Sequence, residues 1–278
     1  MRPGSVFYKM SGSGNDFLMF DGRYSPRDEF TPEAIRAICD RRQGAGADGV
    51  IMLDPAAPKG AHFTFHFWNS DGSAGSMCGN GALCATRLAS LIELAPSEGE
   101  VVFATPAGLH TGQVREGRPT IHLPDCDLPT PLPKANVEPS ERAPHFGNTG
   151  VPHLVLMVDD VATVELERRG PPLRRDPATG ADGANVNWVS PAPGGGFRMR
   201  TWERGVEGET LACGTGAVAC ALVVGTLGLG KSPVRLWTRS TLPLDVAWTA
   251  SGRKAQSVTL SGEGRLVFRG IVGEPARQ

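Results

Sequence analysis

The chain has 278 residues, 40% of them hydrophobic and 21% charged, with a formal net charge of −1. This length suggests about two domains, each able to bury its own core; the scattered Lys and Arg leave no footprint for nucleic acid or an anionic membrane, so a small molecule is the expected partner. No apolar run approaches the ~20 residues of a spanning helix and the start MRPGSVFYKM lacks a signal-peptide core, so a cytoplasmic location is expected.

In chain order, Thr31–Arg42 predicts a helix, with Thr as cap and Pro directly after it. VIML (50–53) and HFTFHFW (62–68) predict strands, and the Ala/Leu-rich Gly79–Leu94 a helix. Period-2 runs VVFAT (101–105) and TIHLPD (120–125) are further strands, and the Pro-dense Leu123–Pro139 reads as a linker. Gly170–Gly183 reads as a surface loop, FRMRTW (197–202) as a strand and Gly214–Leu229 as a helix. VRLWT (234–238), LDVAW (244–248) and RLVFRGIV (265–272) complete the strands; the last lies beyond the second half and is a candidate to return to the first.

Two near-copies of one motif stand half a chain apart, Cys78-Gly79-Asn80-Gly81-Ala82 and Cys213-Gly214-Thr215-Gly216-Ala217, each opening a predicted helix. NDFLMFD (15–21) parallels PHLVLMVD (152–159), GADGVIM (46–52) parallels GANVNWV (183–189), and Trp68 parallels Trp202, all in order and at nearly constant spacing. Such a pattern indicates two structural repeats. The expected fold is α+β, two pseudo-symmetric domains covering 1–123 with 262–278, and 124–261. Each is a mostly antiparallel or mixed sheet wrapped around the helix that follows its cysteine.

Six cysteines in such a chain read as thiols rather than disulfides, and their spacing is a poor zinc pattern. Cys84 and Cys220 lie two turns into their helices, where core packing is expected; Cys39 and Cys126 carry no functional signal. Gly44–Gly49 matches G-x-G-x-x-G literally, but it follows a helix and precedes a strand, the reverse of a dinucleotide site. His62 and His66 lack an apparent third ligand, so no metal is expected, and no lysine sits in a context that suits a pyridoxal phosphate Schiff base.

Cys78 and Cys213 stand apart, because a helix N-terminus offers unpaired N–H groups and a positive dipole end that favour both a thiolate and a bound carboxylate. Inverting a carbon next to a carboxylate requires removing a proton from one face and delivering another to the opposite face. Two thiols with an unperturbed pKa near 8.5 suit that task, one as thiolate and one as thiol, while N–H groups aimed at the carboxylate stabilise the developing charge without a cofactor.

GSGNDF (12–17), GADG (46–49), WNSDGS with MCGNG (68–81), GVPH (150–153), NVNWV (185–189) and WERGVEGETLACGTG (202–216) together resemble the diaminopimelate epimerase family over almost the whole chain. The resemblance implies interconversion of LL- and meso-2,6-diaminopimelate, on the route to lysine and peptidoglycan, without a cofactor. It also implies a site in the cleft between the two domains, and a homodimer. By position it implies Cys78 and Cys213 as the acid/base pair, Gly79, Asn80, Gly214 and Thr215 as the cradle of the reacting carboxylate, and Asn15 at the reacting end. Asn69, Asn185, Glu203 and Arg204 would read the distal amino acid end, Arg204 forking onto a carboxylate and Glu203 accepting from an ammonium. His153 would orient a thiol through another group or be a structural histidine. The chain departs from the family pattern at Val151, where many members have Asn, and at Gly49, where one branch has Gln. The alternatives are a sibling racemase acting on histidine, proline or hydroxyproline, which would change the distal readers, and a non-catalytic binding protein or isomerase-like relative on the same fold, which would be expected to lose one or both thiols.

Overall fold

The computed structural model describes residues 1–274, so the end of the expected 262–278 segment lies outside the described residues. The chain forms two compact units, Met1–Ile121 with the chain from Gly262, and His122–Ser261.

The first unit contains strands β1 (Val6–Gly12), β2 (Asn15–Asp21), β3 (Gly49–Asp54), β4 (Phe63–Asn69), β5 (Ala74–Gly75), β6 (Gly99–Thr105), β7 (Gly108–Arg115) and β8 (Arg118–His122), with helices α1 (Pro32–Cys39) and α2 (Gly79–Leu91). The second contains β9 (Cys126–Asp127), β10 (Thr130–Pro131), β11 (Arg142–Asn148), β12 (Pro152–Met157), β13 (Asn185–Pro191), β14 (Phe197–Glu203), β15 (Gly208–Thr210), β16 (Val234–Trp237), β17 (Pro243–Ser251) and β18 (Lys254–Ser261), with α3 (Leu166–Arg174) and α4 (Gly214–Thr226). A final strand, β19 (Arg265–Ile271), pairs antiparallel with β1.

Each unit repeats one mixed-sheet pattern. In the first, β19, β1 and β2 are antiparallel neighbours, β2 runs parallel to β3, β3 antiparallel to β4, β4 parallel to β6, and β6, β7 and β8 antiparallel. In the second, β10, β11 and β12 are antiparallel, β12 parallel to β13, β13 antiparallel to β14, β14 parallel to β16, and β16, β17 and β18 antiparallel. Even the register agrees: Phe17 pairs with Gly49 where Leu154 pairs with Val186.

The matching pattern explains the main correction to the sequence reading. Leu123–Pro139 is no linker: β10 occupies in its unit the edge position that β19 occupies in the other, and β9 adds to β18. Proline suits such edges because it gives up a ladder donor only where none is needed. Gly170–Gly183 is likewise not all loop. Helix α3 runs through Gly170, Pro171 and Pro172, with Leu166 and Leu173 buried, and a Cβ at Gly170 would come 2.3 Å from the Trp202 indole. Burial of one apolar face against that indole outweighs poor helix propensity. The helices after the two cysteines end at Leu91 and Thr226, about one turn short of expectation.

Helices α2 and α4 are the cores of their units. Leu83, Cys84 and Leu88 are fully buried in α2, as are Cys220, Leu222 and Val223 in α4, against strands on several sides. A helix buried on nearly every side is an interior helix, and each large apolar side chain so buried contributes about 1.5–3 kcal/mol. Cys84 and Cys220 are packing residues, as their positions suggest, and burial pushes both thiols well up.

Candidate active site

Both cysteines of the repeated motif are helix N-caps in the same extended conformation, Cys78 at φ −133°, ψ 122° and Cys213 at φ −131°, ψ 112°. Their carbonyls accept the first helical hydrogen bonds, from Ala82 and Ala217. The N–H groups of Gly79 and Asn80, and of Gly214 and Thr215, therefore lie in the first turns, where no intrahelical acceptor exists. Each unit thus sets a sulfur beside backbone donors and the positive end of a buried helix, a place that favours an anion.

Side chains close in around the glycine three residues after each thiol. A Cβ at Gly81 would lie 2.8 Å from Ile51, and one at Gly216 would lie 2.6 Å from the Asn187 side-chain oxygen. Gly12 at the end of β1 is equally constrained, since a Cβ there would meet the Asn80 carbonyl at 2.7 Å and Cys84 Sγ at 2.9 Å.

In the second unit two donors converge on Cys213, which is 8% exposed. Gly216 N–H donates to Sγ at 3.4 Å, and Thr215 Oγ1 lies 3.6 Å from it. Behind Thr215 the donor order is fixed by chemistry. Asn187 Nδ2 donates to the Leu154 carbonyl at 3.2 Å, so its NH2 also faces His153 Nδ1, at 3.1 Å, and that nitrogen accepts. The ring proton then sits on Nε2 and is donated to Thr215 Oγ1 at 3.0 Å, which leaves the threonine hydrogen for sulfur. His153 is fully buried; burial first, and the Arg204 charge second, hold it down at about 3, so the ring is neutral in this chain. Thr149 Oγ1 donates to the Thr215 carbonyl at 2.8 Å and anchors the same turn.

The first unit has a different cluster. Asn80, 2% exposed, donates through Nδ2 to Asn15 Oδ1 at 2.7 Å, and Asn15 Nδ2 donates to Asp48 Oδ2 at 3.0 Å. Arg41 donates to Asp48 Oδ1 at 2.7 Å and to both oxygens of Asp16, which also pairs with the buried Lys9 at 2.6 Å. Burial alone would raise the Asp16 carboxyl, but the Arg41 and Lys9 hydrogen bonds hold it at about 2.

Among the expected distal readers, Asn185 and Arg204 are joined: Asn185 Oδ1 accepts from the Arg204 backbone N–H at 2.7 Å and its Nδ2 donates to the Pro152 carbonyl. Burial pushes the Glu203 carboxyl up, against a lowering hydrogen bond with Thr210. Asn69, in the first unit, is exposed and donates to Ser73 Oγ at 3.0 Å. Gly49 has a local reason: a side chain there would meet the Trp68 carbonyl at 2.6 Å and the Phe67 ring at 2.8 Å.

Sequence reasoning gave no role to Asp48, Asn187 or Thr149. Asp48 and Asn187 stand inside motifs already read as repeats, GADG and NVNWV, and the parallel pairing of β2 with β3 and β12 with β13 is what carries them to the cysteine helices. Two such pairings placed side by side were the available signal.

A family model described as diaminopimelate epimerase matches residues 7–122 and 146–265. A protein named diaminopimelate epimerase from Gemmatimonas aurantiaca is 45% identical over 275 residues, covering 96% of this chain and 98% of its own. One of the same name from Aquifex aeolicus is 38% identical over 278 residues, with 96% and 98% covered. Among solved structures, a phenazine biosynthesis protein of the PhzF family from Bacillus anthracis matches with a TM-score of 0.72 at 13% identity, covering 98% of this chain and 99% of that one, a likeness of fold alone.

Proposed function

The chain belongs to the diaminopimelate epimerase family, and on that premise we propose that it inverts one α-carbon of 2,6-diaminopimelate with Cys78 and Cys213 as opposed acid and base. The single observation that carries the reading is the pair of N-cap thiols in two units of identical topology. One thiolate takes the α-proton, the electron pair delocalises onto the α-carboxylate, and the other thiol delivers a proton to the opposite face. The enzyme is left with the two sulfurs in exchanged protonation states. N–H groups of Gly79, Asn80, Gly214 and Thr215 hold the carboxylate and lower the barrier where charge develops. No cofactor takes part in this scheme.

The surroundings of Cys213 suit the base form of a thiol. Two hydrogen-bond donors facing one sulfur favour negative charge there, and the neutral His153 keeps Thr215 turned as a donor. Asn15 belongs to the reacting end, while Asn69, Asn185, Glu203 and Arg204 bind the distal amino acid end. A substrate ammonium beside Glu203 would favour its charged form, against the effect of partial burial. The reaction places the enzyme in lysine biosynthesis, in the cytoplasm. No helix among the described residues is long and apolar enough to cross a membrane.

A homodimer completes the reading. Strand β19 leaves Leu266, Val267, Phe268 and Ile271 exposed, between 40% and 68%, and an apolar strand so exposed is a surface for a second copy.

The distal assignment is tested with Arg204→Ala. A charged contact in a closed site is worth several kcal/mol, so kcat/KM for diaminopimelate should fall by about 10² or more with little change in Tm. Normal turnover by this variant, or faster racemisation of a monocarboxylic amino acid by the wild type, would remove diaminopimelate's distal end from the account.

A further inference from the structure

Asn80 has a side-chain oxygen that is buried and has no hydrogen-bond partner, two residues from Cys78 at the same helix N-terminus. An unpaired buried amide oxygen is costly, and it persists here because its neighbours leave it no other orientation. The Asp48 carboxylate can only accept. It therefore faces the NH2 group of Asn15, which turns the Asn15 oxygen towards Asn80, which turns the Asn80 NH2 towards Asn15. Arg41, donating to the other oxygen of Asp48 and to Asp16, holds the carboxylate in place.

We propose that Asp48 is a positioning residue that sets the polarity of the Asn15–Asn80 amide chain, so that an acceptor, the Asn80 side-chain oxygen, is kept for the ammonium group on the reacting carbon. This rests on the reading that the Cys78 helix binds the reacting end. The backbone N–H groups of the same turn suit only the carboxylate, and an amino acid presents a cationic donor beside that anion. A site that inverts the carbon between them must hold both groups, and a neutral acceptor does so without placing a negative charge beside sulfur. The Lys9–Asp16–Arg41 cluster is the fixed base of the chain, and Asp48 is the point at which its donors are converted into a single direction.

The test uses isosteric changes of polarity. In Asp48→Asn, Arg41 keeps the remaining oxygen on its side, the new NH2 faces Asn15, and both amides must reverse, which puts the Asn80 NH2 where the ammonium belongs. In Asn80→Asp, a carboxylate faces the Asn15 oxygen. Each single change should lower kcat/KM for diaminopimelate at least tenfold. In the double variant, the reversed Asn15 donates to the new carboxylate, which still offers an acceptor, so kcat/KM should recover at least tenfold over Asn80→Asp alone. Serine at position 80 both donates and accepts; in an Asn80→Ser background, Asp48→Asn should therefore change kcat/KM by less than twofold. That comparison serves if Asn80→Asp fails to fold. Losses that simply multiply in the double variant, or an undiminished Asp48→Asn effect in the serine background, would overturn the polarity role. Failure of the underlying reading would show separately, as normal epimerisation by Cys78→Ala.

Discussion

At the scale of single residues, the two sulfurs are equivalent in backbone and different in surroundings. Cys213 faces Thr215 and the Gly216 N–H, and a threonine whose hydrogen is committed by His153 and Asn187 is a fixed donor. Thr215→Val keeps the shape and removes the hydroxyl, so kcat should fall about tenfold or more, while Thr215→Ser should retain most of it; similar kcat values for the two variants would contradict the donor role. His153 is equally specific in its expectation. A ring held at about 3 stays neutral through the physiological range, so its NMR shifts should be flat between pH 8 and 5. A midpoint near 6.5 would show that the ring is not desolvated. The thiols were legible in the sequence because a helix N-cap is a local feature, written in five residues. The side chains grouped around those helix ends were not, because Asn187 and Asp48 reach them through strand pairings that no local pattern specifies.

At the scale of elements, the repeats explain both what the sequence disclosed and what it concealed. Alternating strands such as Phe63–Asn69 and Phe197–Glu203 have one face in the core and read cleanly, whereas β10 and β9 are two-residue edge strands in a proline-rich stretch that local chemistry marks as a linker. Helix α3 was concealed for the opposite reason: Gly170-Pro171-Pro172 signals a loop, and only the Trp202 indole against Gly170 shows why a helix forms. Gly170→Ala would raise helix propensity by about 1 kcal/mol on an open surface, yet a Cβ 2.3 Å from the indole must displace it. Overpacking of that kind costs about 1–3 kcal/mol, so thermal unfolding should show a lower Tm; a raised Tm would mean that the indole moves freely.

At the scale of the whole molecule, buried and half-buried ionisable groups link stability to pH. His153 has a folded value of about 3 against roughly 6.5 when unfolded, so the unfolded chain binds more protons in that interval. Its contribution is complete above about pH 6.5 and is lost as pH falls towards 3. Asp16 adds a second loss, since a carboxyl held at about 2 in the folded chain and near 3.8 when unfolded contributes above about pH 4 and loses that contribution as pH falls towards 2. Tm should decline in two stages on acidification, and His153→Gln should weaken the first. The central claim is that two sulfurs serve opposite faces of one carbon, and epimerisation of LL-diaminopimelate in deuterated water tests it most directly. Early in the reaction, meso product should carry one deuterium at the inverted carbon while recovered LL substrate remains protiated, and Cys78→Ala and Cys213→Ala should each abolish inversion. Deuterium entering the LL pool as fast as product forms, or inversion by either single-cysteine variant at the wild-type rate, would contradict the two-thiol account.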